Sequence, residues 1–104
     1  VFGQAQRDAW ATIQRGHAIA NGIYVAAVNR TGFEGSPSDG LEFWGSSFVS
    51  DPFGRVLAEA PVDQEHILIA TVDPHLQEDV RRNWPFLRDR RIDAYAPILG
   101  RWID

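Results

Sequence analysis

Between Ile23 and Phe48 lie the residues best suited to recognition chemistry: Asn29, Arg30, Glu34, Asp39 and Glu42, followed at once by Phe43 and Trp44. They begin where an apolar run, Ile23 to Val28, stops at polar residues. In α/β proteins such strand ends, and the loops after them, carry function more often than other surfaces. Carboxylates beside aromatic faces would receive a cationic substrate, by ion pairing and through the negative face of the rings. Read as structure alone, the same residues are a solvated loop with one ion pair. The residues by themselves leave these two readings level.

Other candidates are weaker. Ser46-Ser47 suggests a nucleophile, but the elbow motif needs a glycine on each side of the serine at a strand-to-helix turn. Here Gly45-Ser46-Ser47-Phe48 lacks the second glycine and enters a strand, so small residues that let layers approach are the better reading. Gly32, Gly35 and Gly40 match neither a phosphate loop nor a dinucleotide fingerprint. His17 falls on the apolar face of a helix, where a hydrogen-bonded structural role is the ordinary one. With His66 and His75 scattered far from it, no metal site is expected. Arg81, Arg82, Arg88, Arg90 and Arg91 alternate with Asp79, Asp89 and Asp93, which fits an intra- or inter-subunit ion-pair network rather than a phosphate patch.

The bulk properties narrow the field. A length of 104 residues with 44% hydrophobic content suits one domain with a core. A chain of this size buries only about two-thirds of its unfolded surface, so a further layer from a partner would matter. The formal charge of -4 argues against a nucleic-acid module. No apolar stretch approaches the roughly 20 residues that span a bilayer, and no signal-peptide pattern opens the chain. There is no cysteine, and all 10 basic residues are arginine. Any mechanism needing a thiolate or a lysine cannot be completed by these residues alone. These features fit a cytosolic protein.

The elements that must position the candidates follow from local patterns. Gln4 to Asn21 reads as a helix with Trp10, Ile13, His17 and Ala20 on its apolar face, ended by Asn21-Gly22. Ile23 to Val28 reads as a strand covered on both faces, and Thr31 to Gly40 as a loop. Leu41 to Ser50 reads as a second strand, with Trp44, Ser46 and Phe48 on one face and Phe43, Gly45, Ser47 and Val49 on the other. Asp51-Pro52-Phe53-Gly54 has the residues of a type I turn, returning Arg55 to Ala60 as a hairpin strand. His66 to Val72 predicts a fourth strand. Asp73-Pro74 starts a second helix with Leu76, Val80 and Trp84 as its buried stripe, and Pro85 ends it. The segment after Arg91 is apolar without period, as in tails that lie across another surface.

Three blocks taken together carry a resemblance: QRGHAIANGIYVAAVNRTGFEG, then FWGSSFVSDPFGRVL, then RRNWPFLRDRRIDAY. They resemble the C-terminal part of the nitrilase, or carbon–nitrogen hydrolase, superfamily, and within it the N-carbamoylputrescine amidase branch. The resemblance covers Ala5 to Tyr95. It implies an α/β fold, part of a four-layer αββα sandwich, and hydrolysis of N-carbamoylputrescine to putrescine, ammonia and carbon dioxide without an organic or metal cofactor. It implies a Glu–Lys–Cys triad in which the thiolate attacks the carbamoyl carbon, Glu is the base and Lys stabilises the oxyanion. All three belong to the family's N-terminal part, so residues 1–104 are expected to be the C-terminal portion of a single, longer hydrolase domain and inactive alone.

The resemblance places Asn29 and Arg30 at the strand end bordering the site, and Glu34 on the acid after the Asn-Arg-x-Gly segment. The expected roles are Glu34 receiving the distal ammonium, with Phe43 and Trp44 walling the pocket. The RDRR segment and tail are expected at a subunit interface of a homo-oligomer. The expected partner is a small carbamoyl-amine substrate, with no nucleic acid and no membrane. Two alternatives stay open: another amidase of the superfamily, of β-ureidopropionase or ω-amidase type, and a non-catalytic binding or oligomerisation module.

Overall fold

The computed structural model describes residues 3–102, so Val1, Phe2 and the last two residues of the tail lie outside the described residues. The order is α1 (Gly3–Asn21), β1 (Val25–Ala27), β2 (Thr31–Ser36), β3 (Asp39–Trp44), β4 (Phe48–Ser50), β5 (Val56–Glu59) and α2 (Pro74–Asn83). Two short 3₁₀ turns, Ile92–Ala94 and Ala96–Leu99, follow. β1, β4 and β5 form an antiparallel sheet in that spatial order, and β2 and β3 form a separate antiparallel hairpin. The molecule is an α/β slab of 53 × 43 × 16 Å.

α1 lies on the three-stranded sheet with a face different from the expected one. Ala18 is fully buried and Arg7, Trp10, Ala11 and Gln14 are half-buried, whereas Ile13, His17 and Ala20 are exposed. Trp10 fixes this rotation: its ring meets Trp44 edge-on at 6.1 Å and Phe48 at 5.6 Å between centroids. Ala18, with a single methyl, then allows close approach, and its carbonyl accepts from the Ile23 N–H at 3.0 Å.

The turn at Asp51 forms as its residues predict. Gly54 N–H donates to the Asp51 carbonyl at 2.8 Å, and the buried Asp51 carboxylate accepts from the N–H groups of Phe53 and Arg55. Arg15 on α1 donates to the Gly54 carbonyl at 2.7 Å, which docks the turn onto the helix. α2 begins with Asp73 as N-cap, accepting from His75 N–H at 2.9 Å, with Pro74 in the first turn. Val80 is its one buried residue; Trp84 caps the helix and is half exposed against Phe53 and Phe86.

Three expected elements differ. The Thr31 to Gly40 loop is mostly hairpin, turning at Pro37-Ser38 with Ser36 opposite Asp39. Nearly all of β2 is exposed, so no buried face imposed a period-2 pattern for the sequence to show. The single strand Leu41 to Ser50 is two strands, because Gly45 and Ser46 take φ of 51° and 57°. Two successive left-handed residues cannot continue a strand. His66 to Val72 joins no sheet among the described residues, and Ile67 and Ile69 are 87% and 85% exposed. A strand exists only with a ladder partner, and no described segment offers one.

The arginine-rich region holds local pairs rather than a network: Arg82 with Glu78 at 2.6 Å, Arg88 with Asp89 at 2.9 Å, and Arg91 with Asp93 at 2.7 Å. The tail leaves Ile98, Leu99 and Trp102 exposed. Among the described residues the buried hydrophobic side chains are Ala18, Ala27, Phe48 and Val80. The Cα radius of gyration is 17.9 Å, against about 13 Å for a compact 100-residue domain. One helix layer on one sheet layer leaves the other sheet face uncovered.

Candidate active site

The polar residues after β1 are organised by hydrogen bonds between 29–30 and 45–47. Asn29 N–H donates to Ser47 Oγ at 2.8 Å, and the Asn29 side-chain amide donates to the Gly45 carbonyl at 3.0 Å. Gly45 N–H returns a bond to the Arg30 carbonyl at 2.9 Å. Gly45 has no room for a side chain, since a Cβ there would stand 2.7 Å from the Pro61 carbonyl oxygen and from Thr31 Cγ2. Ser46 next to it is 3% exposed at a strained φ; its hydroxyl donates to the Trp44 carbonyl at 3.0 Å and accepts from Arg7 at 2.9 Å. Strain of this kind persists where neighbours over-determine it, as Arg7 and Pro61 do here.

Arg30 forms the centre of a second cluster. Its guanidinium donates to Glu34 Oε2 at 2.6 Å and lies 4.5 Å from the centre of the Phe43 ring. The strand register explains this, because Gly32 stands opposite Phe43 and Glu34 opposite Leu41, so Glu34 and Phe43 share a face. Trp44 is the next residue on β3 and faces the other way, toward Trp10. Both residues nonetheless border the same small opening, and the buried Trp44 indole N–H has no hydrogen-bond partner among the described residues.

These residues border two openings. A broad groove of about 850 Å³ runs between Val28 to Thr31, Gly45, Ser47, Ala60, Pro61 and the Gln64 to Ile67 stretch. A smaller one of about 250 Å³ is lined by Phe43 and Trp44 with Arg7 and Glu42. Asn29 and Arg30 thus border the larger groove, Phe43 and Trp44 the smaller, and Glu34 joins them through Arg30. Sequence reasoning missed the Gln64 to Ile67 wall, because only the fold brings that connection opposite Asn29. Among the described residues no three His, Cys, Asp or Glu side chains stand close enough to share a metal ion.

A strand-end groove faced by an amide, a guanidinium and a carboxylate, behind a helix-on-sheet layer, suits recognition of a small polar substrate. The carbon-nitrogen hydrolase family profile matches residues 2–82, and the chain belongs to that family. It is 37% identical to N-carbamoylputrescine amidase of Arabidopsis thaliana over 102 residues, covering 93% of this chain and 34% of that protein. It is 35% identical to citrullinase of Francisella tularensis over 96 residues, covering 92% of this chain and 34% of the relative. Among solved structures, the carbon-nitrogen hydrolase from Helicobacter pylori G27 superposes with a TM-score of 0.87 at 53% identity, over 96% of this chain and 35% of that one. The chain thus spans about a third of the length of the curated relatives it matches.

Proposed function

We propose that residues 1–104 form the C-terminal part of a nitrilase-type amidase that hydrolyses N-carbamoylputrescine, and that they supply substrate recognition but no nucleophile. The observation that carries this is the cluster of Asn29, Arg30, Glu34 and Phe43 at the end of β1, set at one edge of an uncovered sheet. A second αβ layer against that sheet would complete a four-layer sandwich and bring the Glu–Lys–Cys triad that the family resemblance implies. In that reading the thiolate attacks the carbamoyl carbon and ammonia leaves. Water hydrolyses the resulting thiocarbamate to the N-alkyl carbamic acid and frees the thiol, and the carbamic acid then loses carbon dioxide to give the diamine. The reaction would supply a polyamine precursor in the cytosol. The exposed tail, with Ile98, Leu99 and Trp102, is read as the subunit contact of a homo-oligomer.

Glu34 is the proposed acceptor of the distal ammonium. Its charge is already matched by Arg30, so a lone ammonium must compete for it. That feature favours one second reading: a carbamoyl amino acid such as citrulline, whose carboxylate and ammonium would engage Arg30 and Glu34 together. The test is turnover by the full-length polypeptide on N-carbamoylputrescine, citrulline and N-carbamoyl-β-alanine. Preference for the first supports the proposal; preference for either carboxylate-bearing substrate overturns it.

A further inference from the structure

Between Ala27, the last residue of β1 paired with β4, and Thr31, the first residue of β2 paired with β3, the sheet ladders are interrupted. The break faces Gly45 and Ser46, whose left-handed backbone interrupts the regular ladder, although Gly45 still bonds Arg30 and the Asn29 side chain. The hydroxyl of Ser47 fills the gap. It accepts from the Asn29 N–H at 2.8 Å and donates to the Asn29 carbonyl at 3.2 Å, making with one side chain the two bonds a strand partner would make. Ser47 is itself held, since its carbonyl accepts from Ala60 N–H at 2.8 Å. With its proton committed to a carbonyl, this hydroxyl is no nucleophile.

We propose that Ser47 is a positioning residue for substrate recognition, fixing the backbone from which the Asn29 amide and the Arg30 guanidinium reach the groove; this rests on the function proposed above. A serine or threonine satisfies the geometry, and a side chain without a hydroxyl does not. Ser50 supplies the control: it lies three residues on, at the end of β4, and is more deeply buried than Ser47, but its hydroxyl has no partner among the described residues.

The experiment compares the parent full-length polypeptide with Ser47→Ala, Ser47→Thr and Ser50→Ala, by steady-state kinetics on N-carbamoylputrescine and by hydrogen exchange at the Asn29 amide. In Ser47→Ala, KM rises about fivefold with kcat little changed, as loss of the two hydrogen bonds that hold Asn29, felt by the substrate only through the binding frame, allows. Asn29 exchange in that variant accelerates, while Ser47→Thr and Ser50→Ala stay near the parent in both readouts. Parent-like KM and exchange in Ser47→Ala overturn the inference. So does Ser47→Thr failing as badly as Ser47→Ala, which marks a packing role. If the parent turns over no carbamoyl substrate, the proposed function fails, and the exchange comparison still decides whether Ser47 holds Asn29.

Discussion

The Arg30 guanidinium donates to the Glu34 carboxylate across 2.6 Å, although the two residues lie four apart on an extended segment. On a regular strand their Cα atoms would stand about 13 Å apart. Gly32 between them takes φ of 96° within β2, and Phe43 opposite it gives the guanidinium a ring to lie on. The pair is half exposed, so its value lies in placing charge rather than in stability.

If Glu34 receives a distal ammonium, Glu34→Gln raises KM for N-carbamoylputrescine by about tenfold, the size of one weakened charge-assisted hydrogen bond. A neutral carbamoyl compound loses little. Steady-state kinetics on both substrates decide the matter, and equal losses refute the role.

Gly54 sits at φ of 73°, with the position for a Cβ 2.8 Å from Ile19 Cδ1 and 3.2 Å from the Arg15 carbonyl oxygen. Gly54→Ala adds backbone strain and crowding against α1, at a cost of about 2–4 kcal/mol. A lower urea midpoint with an unchanged m-value is the expected result.

Asp51 is 1% exposed and its carboxylate holds two backbone N–H groups together with Arg55 Nε at 2.6 Å. Asp51→Ala strands both N–H groups and lowers stability by about 2–4 kcal/mol. Asp51→Asn, which keeps an acceptor oxygen for them, loses less. Chemical denaturation of the two variants side by side tests this order.

Arg91 holds Asp93 by two parallel hydrogen bonds, which lower the Asp93 carboxyl pKa below its ordinary value and raise that of Arg91. A lowered carboxyl pKa means the pairing is intact above the ordinary aspartate range and is lost as pH falls through the lowered value. NMR titration of the Asp93 carboxyl therefore gives a midpoint below that of a free aspartate. Arg91→Ala moves the midpoint up, and no movement would show that the pair does not form in solution.

Much of the frame was legible because local chemistry sufficed. Asp51, Pro52 and Gly54 each have a reason to sit in that turn whatever surrounds it, and the Asp73-Pro74 cap likewise acts within one helical turn. The β2–β3 hairpin was not legible, since its exposed faces impose no alternation, and neither was the Gly45-Ser46 break, since nothing in a serine announces a positive φ. The helix face was misread for a related reason. Ile13 and His17 are as helix-periodic as Trp10 and Ala18, and only the contacts of Trp10 with Trp44 and Phe48 choose between them.

For the site, the sequence alone determined its inventory: Asn29, Arg30 and Glu34 after an apolar run, and no cysteine or lysine to act beside them. Side-chain type sets what chemistry is available, and that needs no coordinates. Tertiary structure decided the pairing. It matched Arg30 to Glu34 and Phe43, turned Trp44 to the opposite face, and set Ser47 against Asn29 across 18 residues of chain. Strand register and two left-handed residues make those choices, and both are fixed by what packs against the segment rather than by the segment itself.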